Sequence, residues 1–500
     1  MCTNNLFRRR MDLTEKQGLP NVQTKLFIDG KWVEGSGEKR AVINPATGEE
    51  LIKVSQGGKE EVHQAIEAAK KAFPIWSGME LKERVAILHK IADLIEENTN
   101  RLALIMTLEQ GKPFKEAKGE IKTDVDNMHW NAEEARRVYG ETIPAPNNHK
   151  YEVKKQPIGV VGAITPWNFP SNMIIRKISP AISAGCTVVL KPAGNTPLSA
   201  LALFELFEEA GLPNGVANLV MGKASDIGDV FAESKDVRKL TFTGSTEVGQ
   251  MLYEQSGKTL KKMSLELGGH APFIVFKDAP IQQTVDTLVA MKFRNNGQAC
   301  TAPNRIFVEE AIKKEFTETL VEAVGKITVG NGLEDVMVGP LINEDARETI
   351  DAQIADAKEK GAEVLIGGGR LDEGEYEKGF FYQPTVLDKV TTEMDIFYNE
   401  TFGPVIPLIG FTHEEEVIEL ANDSVFGLAS YVFTKDMRIA EKVSTALEYG
   451  MVGVNNTGVS QSEAPFGGVK YSGLGRENGK YGVEEFMEVK FVHTTYFMED

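Results

Sequence analysis

The sequence predicts an α/β protein built on two sheets, and three observations predict it. Between residues 157 and 274, apolar β-branched runs such as Gly159-Val-Val-Gly-Ala-Ile164 and Thr187-Val-Val-Leu190 alternate with helical stretches. Continuous apolar strands separated by helices are buried on both faces, as in a parallel sheet covered by helices on each side. A second alternation of the same kind runs from Phe273 to about Gly475. Ahead of the first alternation, residues 142–156 are polar, punctuated by proline, and end in the edge-strand pattern Tyr151-Glu-Val153-Lys.

The elements follow in order. Residues 26–54 carry short alternating runs broken by Asp29-Gly30, Gly35-Ser-Gly37 and Asn44-Pro45, which read as strands and hairpin turns. Residues 60–73, 82–98, 100–110 and 115–139 place apolar side chains at helical spacing, as in Val85, Leu88, Ile91, Leu94 and Ile95. These are outer helices, with His89 and His129 as structural residues. Within the first alternation come helices at 200–210, 225–233 and 246–256 and strands at 217–220 and 239–242. The second contributes strands at 306–308, 364–366, 405–409 and 451–454, helices at 311–328, 346–360 and 415–422, and a surface turn at Gly367-Gly-Gly369.

Composition bounds the function. With 500 residues, 42% hydrophobic and 26% charged, the chain supports two or three domains with their own cores. A net charge of −18 argues against a nucleic-acid partner, so an anionic ligand has to be held by local arginines or helix N-termini. Three cysteines, at 2, 186 and 300, make no disulfide framework and fit a reducing, cytoplasmic setting. The longest uncharged run, 156–175, matches a membrane span in length. Its Pro157, Pro166 and Pro170, with Trp167, Asn168 and Asn172, read instead as strand and loop, and no membrane partner is expected. The Arg8-Arg-Arg10 leader lacks an apolar segment and reads as a frayed tail rather than a secretory signal or a mitochondrial presequence.

Two stretches carry chemistry. Lys292-Phe-Arg-Asn-Asn-Gly-Gln-Ala-Cys300 sets a thiol after a turn-prone Asn295-Asn296-Gly297, and Arg294 and Arg305 on either side can supply the positive field a thiolate needs. The alternative is an inert loop cysteine. Leu265-Glu266-Leu-Gly-Gly269 offers a carboxylate in apolar surroundings, whose pKa rises toward the range of a general base. Nothing in the pattern calls for a metal. Gly244-Ser245-Thr-Glu-Val-Gly249 follows a strand and opens a helix, so its N–H groups can meet a pyrophosphate, although the usual Gly-x-Gly-x-x-Gly fingerprint is absent.

Gly-Gln-Ala-Cys300, Glu266-Leu-Gly-Gly, Ile164-Thr-Pro-Trp-Asn168-Phe-Pro, Phe242-Thr-Gly-Ser-Thr-Glu-Val-Gly249, Glu400-Thr-Phe-Gly-Pro404 and Pro465-Phe-Gly-Gly-Val-Lys470 together resemble the NAD(P)-dependent aldehyde dehydrogenase family, in its order and from about Phe27 to Val492. The likeness is nearest to the succinate-semialdehyde dehydrogenases. It implies a Rossmann-like cofactor domain (25–141 and 157–272), an α/β catalytic domain (273–478), and a small β flap (142–156 and 479–500), whose Tyr151 and Lys490-Phe-Val492 strands are expected to pair across subunits and drive self-association as a dimer or tetramer; residues 1–24 are a tail. It implies Cys300 as nucleophile through a thiohemiacetal and a thioester, Asn168 and the Cys300 N–H as oxyanion donors, and Glu266 as base. Lys177 is a proton relay or a structural lysine. Thr165, Pro166, Trp167, Lys191, Gly244, Ser245, Gly249, Glu400 and Phe402 are implied around the cofactor, with Trp167 as wall or core.

The resemblance also narrows substrate and cofactor. Arg176 and Arg294 occupy places where succinate-semialdehyde members hold a substrate anion, with Ser460 as a third contact and Phe466 beside it. The expected substrate is a short anionic aldehyde: succinate semialdehyde first, with 3-sulfolactaldehyde or glutarate semialdehyde as alternatives. Ala302 stands where bacterial members often have a second cysteine, so no Cys300 disulfide is expected, and the change leaves room for a sulfonate. Gly194 stands three residues after Lys191, where NAD-strict members often have glutamate, so NADP as well as NAD is expected. Glu266 favours hydrolysis over transfer to coenzyme A. A catalytically silent homologue is the non-enzyme alternative, and it has no use for the retained set.

Overall fold

The computed structural model describes residues 18–497 and consists of two α/β units and a three-stranded flap. The Arg8-Arg-Arg10 leader lies outside the described residues.

The first sheet has eight strands in the order Lys31–Val33, Leu26–Ile28, Ala217–Leu219, Thr187–Lys191, Val160–Ile164, Val237–Thr243, Lys262–Glu266 and Gly473–Leu474. The strands from Ala217–Leu219 to Lys262–Glu266 are parallel, and the outer ones antiparallel. The parallel part is buried because helices Lys59–Gly78, Leu81–Glu97, Thr99–Gln110, Phe114–Glu134, Asn172–Ala184 and Pro197–Ala210 form one core with it. From Val160–Ile164 the chain adds strands in one direction as far as Ala217–Leu219. It then returns to the other side with Val237–Thr243, so the order reverses between Ile164 and Phe242, which are paired neighbours. Ligands of open parallel sheets bind at such a reversal, beyond the carboxyl ends of the strands.

The second sheet has seven strands: Glu363–Ile366, Thr385–Asp388, Val405–Phe411, Pro303–Glu309, Ala271–Val275, Ala429–Phe433 and Met451–Val454. All its pairs are parallel except the first. Apolar clusters fill both of its faces.

Three details correct the sequence reading. The expected domain border at 272/273 falls inside strand Ala271–Val275; the chain passes from one sheet to the other between Glu266 and Ala271. Residues 473–474 and helix Gly479–Glu484 return to the first unit, because Leu474 pairs with Leu265 and Val483 and Phe486 enter that core. In the flap, strand His149–Pro157 pairs with Met487–Thr495 of the same chain, Lys154 opposite Lys490. The expected pairing across subunits is instead one within the chain: a nine-residue antiparallel register fills the facing edges of the two strands and leaves the far edge of Met487–Thr495 open among the described residues. Helix Asn172–Ala184 was not foreseen: its polar residues Asn172, Arg176, Ser179 and Ser183 do repeat at helical spacing, but Pro180 interrupts the run as a helix breaker and every residue is buried.

Candidate active site

At the reversal point the two crossing loops, 165–171 and 244–246, face the Cys300 turn of the second unit. They enclose a cavity of about 230 Å³ lined by Pro166, Trp167, Asn168, Phe169, Met173, Thr243, Gly244, Ser245, Leu267, Gly268, Cys300, Glu400 and Phe402. Residues from five separate motifs thus share one space. Glu266, Thr165, Lys177, Lys191, Gly249, Arg176, Arg294, Ser460 and Phe466 do not line it.

Cys300 is half-buried, on the turn before strand Pro303–Glu309. Burial, then the carboxylates of Glu400 and Glu266, push its thiol up to about 12, while Arg176 opposes them. The resting group is therefore the thiol. Arg305 does not supply the expected field: its guanidinium donates to the Leu420 and Ala421 carbonyls (2.9 and 2.8 Å) and the Tyr449 hydroxyl (2.7 Å). It serves the C-terminal carbonyls of helix Glu414–Asn422, which have no acceptor role inside the helix. Asn168, 6% exposed, donates one Nδ2 hydrogen to the Gln298 carbonyl at 3.0 Å, leaving the other for the cavity. No backbone carbonyl among the described residues takes the Cys300 N–H.

Glu266 is buried and its Oε2 has no hydrogen-bond partner among the described residues. Burial, then the charge of Glu477, raises its carboxyl well above the usual range, against Lys177, Arg176 and Arg476. Lys177 donates to Glu477 Oε1 at 2.6 Å and to Thr241 Oγ1 at 3.2 Å, deep in the first unit. Glu477 was missed in the sequence; the signal that could have found it is a carboxylate in the returning Gly475-Arg-Glu-Asn loop.

The cofactor candidates fall into two groups. Trp167 and Phe402 meet edge to face at 5.5 Å on the cavity wall, and Phe402 holds a left-handed φ of 48°, a conformation bulky residues avoid unless the surroundings impose it. Glu400 accepts the Gly269 N–H at 3.0 Å, and burial raises its carboxyl to about 7. Ser245 caps helix Thr246–Ser256 by accepting from Val248 N, and Gly249 lets that helix approach Leu267, into which a Cβ would run. Thr165 is buried just after its strand, its N–H on the Lys191 carbonyl at 3.1 Å.

Lys191, at the end of its strand, has no carboxylate within 4 Å among the described residues; burial, then the charge of Arg40, lowers it to about 8. Arg40, unremarked in the sequence, donates to Asn195 Oδ1 at 2.7 Å and lies in the space a Cβ at Gly194 would take. Two cations with no anion, at the carboxyl edge of a parallel sheet beside a glycine helix start, fit the ribose-phosphate end of a dinucleotide. The Glu400 carboxylate and the apolar wall of Trp167 and Phe402 fit its other end.

Arg176 is 4% exposed, lies 4.4 Å from the Phe466 ring and donates to Ser460 Oγ. Three of the four anion candidates are therefore in contact. Arg294 is exposed and stacks 4.9 Å over Phe169, a cavity residue, within electrostatic reach of Arg176. Neither arginine forms an ion pair among the described residues. Ala302 is fully buried in a small cluster with Phe169, Met173 and Ala299, so it adds no open room for a head group.

Comparison with known proteins places this geometry. The aldehyde dehydrogenase family profile matches residues 32–492. The chain is 50% identical over 474 residues to 3-sulfolactaldehyde dehydrogenase of Pseudomonas putida, covering 94% of this chain and 97% of that one. It is 49% identical over 469 residues to succinate-semialdehyde dehydrogenase [NADP(+)] of Escherichia coli, covering 93% and 96%. Among solved structures, betaine aldehyde dehydrogenase of Staphylococcus aureus in complex with NAD+ superposes with a TM-score of 0.93 at 38% identity, covering 96% of each chain.

Proposed function

Because the chain belongs to the aldehyde dehydrogenase family and is an NAD(P)-dependent enzyme, we propose that its substrate is a short aldehyde with an anion at the far end, succinate semialdehyde first. The observation that carries the reading is the pair Arg176 and Arg294, neither of them in an ion pair among the described residues, with Glu477 and Glu266 acting on Arg176 and Glu116 on Arg294 only from a distance. A buried guanidinium without a counter-ion is costly. An anionic substrate supplies that counter-ion, and the planar forks grip it bidentately. A guanidinium pair selects charge and reach above the central atom, so 3-sulfolactaldehyde is the second reading, favoured by the 50% identity to an enzyme of that name.

The chemistry follows from the site. As the Cys300 sulfur adds to the aldehyde carbon, its proton passes to solvent, leaving the Glu266 carboxylate free for the hydrolytic step. The carbonyl electron pair moves onto oxygen, which meets the free Asn168 Nδ2 hydrogen and the Cys300 N–H. Such donors, fixed in advance, remove about 3–4 kcal/mol from a barrier of this kind. Lys191, Glu400 and the helix at Gly244 would hold NAD(P), which would supply the hydride acceptor. The oxidised adduct is a thioester on Cys300. Glu266 takes a proton from water, the hydroxide adds to the thioester carbon, the C–S bond breaks, and the acid leaves with the thiolate restored. Lys177 acts at a distance, holding Glu477 where its charge keeps Glu266 basic.

The test compares kcat/KM for succinate semialdehyde, 3-sulfolactaldehyde and uncharged butanal in wild type, Arg176→Ala and Arg294→Ala. Each substitution should raise KM for the preferred anion at least about tenfold, roughly 1.4 kcal/mol, and leave butanal unchanged. Butanal turned over as well as either anion by wild type would refute the reading. We also propose self-association through the flap, whose outer strand exposes Val489 and Phe491.

A further inference from the structure

We infer that Asn295 is a positioning residue for the reaction, its side-chain amide fixing the Asn168 donor against the Cys300 turn. The inference rests on the roles of Asn168 and Cys300 given above.

The two groups come from different units: Asn168 from the loop after strand Val160–Ile164, Cys300 from the turn before Pro303–Glu309. No sheet pairing joins those strands, so something else has to set their spacing. Asn295 Nδ2 donates to the Asn168 carbonyl at 2.9 Å and to the Gln298 carbonyl at 3.0 Å. Asn168 Nδ2 donates to that same Gln298 carbonyl at 3.0 Å. The three residues close a ring, and Gln298 lies two residues before the nucleophile.

The amide cannot turn over. Asn295 Oδ1 accepts from Gln110 Nε2 at 2.9 Å, and Gln110 Oε1 accepts the Lys112 N–H at 3.0 Å, so a flip would set donor against donor and acceptor against acceptor. The backbone is fixed as well: Asn295 has φ 50°, in the left-handed region that asparagine tolerates better than most residues, and its N–H donates to Glu116 Oε2 at 2.8 Å. Lys112 Nζ, paired with Glu120 at 2.6 Å, holds the Asn168 carbonyl from a second side at 2.8 Å. Asn295, Gln110, Lys112 and Gln298 are each at most 2% exposed, and none lines the cavity. They act on the substrate only through Asn168 and Cys300. A buried polar network whose members are all satisfied is stiff, and stiffness between donor and nucleophile is what an oxyanion site needs.

A double-mutant cycle tests this. Asn295→Gly keeps the left-handed backbone and deletes the amide. It should lower kcat about ten- to a hundredfold, the loss expected when a reacting group drifts by about 1 Å, and leave KM for NADP within about twofold. In an Asn168→Ala background the same substitution should cost less than about threefold, because no donor remains to be positioned. A purely structural role predicts equal fold-losses in both backgrounds, and that result overturns the inference, as does full kcat in Asn295→Gly. If Asn295→Gly does not fold, Gln110→Ala, which frees the Asn295 amide from outside the loop, carries the same cycle with the same two criteria. Should Asn168→Ala itself keep full kcat, the oxyanion assignment fails and the inference with it. Loss in Asn168→Ala alone removes only the inference.

Discussion

Arg40 and Gly194 show how a single missing side chain changes what a pocket accepts. A carboxylate at 194 would occupy the place of the Arg40 guanidinium and cancel its charge; glycine leaves Arg40 beside Lys191 with nothing to neutralise either. A 2′-phosphate on the adenosine ribose would answer both charges, whereas a plain hydroxyl would answer neither. Arg40→Ala should therefore raise KM for NADP at least about tenfold, roughly 1.4 kcal/mol, and change KM for NAD less than about twofold. Equal effects on both cofactors, measured by NAD(P)H absorbance, would remove Arg40 from cofactor choice. At this scale the sequence was legible where chemistry is local: Asn168, Glu400, Phe402 and Cys300 were named from motifs and line one cavity. Arg40, Glu477 and Asn295 were not named as site residues. They reach their partners across the tertiary fold, at Asn195, Lys177 and Asn168, and no short motif encodes that.

Helix Pro197–Ala210 illustrates the element scale. It has no side-chain cap of its own, and its first N–H groups are met by Glu109, which accepts from Leu198 N and Ser199 N at 2.7 Å each. Glu109 ends helix Thr99–Gln110, so one helix supplies the cap of another. Burial raises its carboxyl to about 8, even against the Ser199 hydrogen bonds. The sign follows: a carboxyl whose folded pKa lies above its unfolded value near 4.5 adds stability that is complete below that value and lost as pH rises through about 8. The thermal midpoint of wild type should fall between pH 6 and 9 more steeply than that of Glu109→Gln, which cannot ionise. At pH 6, Glu109→Ala should cost about 1–3 kcal/mol through the unsatisfied donors. Parallel slopes for wild type and Glu109→Gln would show that Glu109 does not titrate in that window. Helix Asn172–Ala184 and strand Ala429–Phe433, both wholly buried, escaped the sequence reading for different reasons: Pro180 breaks the helical pattern of Asn172, Arg176, Ser179 and Ser183, and five residues of strand are too short to show a period.

Over the whole molecule, the alternation of strands and helices gave both sheets, while their joining did not follow from it. The reversal at Ile164 and Phe242 and the return of residues 473–474 are facts of topology, invisible to pattern. The flap is the clearest case: its strands were both foreseen, yet their pairing with each other was not. With that edge filled from within, the outer edge of Met487–Thr495 and the outer edge of Met451–Val454 in the second sheet remain unpaired among the described residues. Long bare edges invite pairing, so light scattering at micromolar concentration should show a dimer or a dimer of dimers. A lone 55.0 kDa species would rule that out.

The late return of the chain also governs when the enzyme comes into being. Strand Gly473–Leu474 closes the sheet beside Glu266, and Glu477 reaches back to Lys177. Until those residues leave the ribosome, Lys177 is buried without its counter-charge and the base lacks its neighbour. The growing polypeptide therefore carries an unfinished centre through nearly all of its synthesis, and contacts of such sequence separation form slowly. A chain cut short before Gly473 would lack both the closing strand and the Glu477 partner of Lys177, and should form no NAD(P)H with an aldehyde.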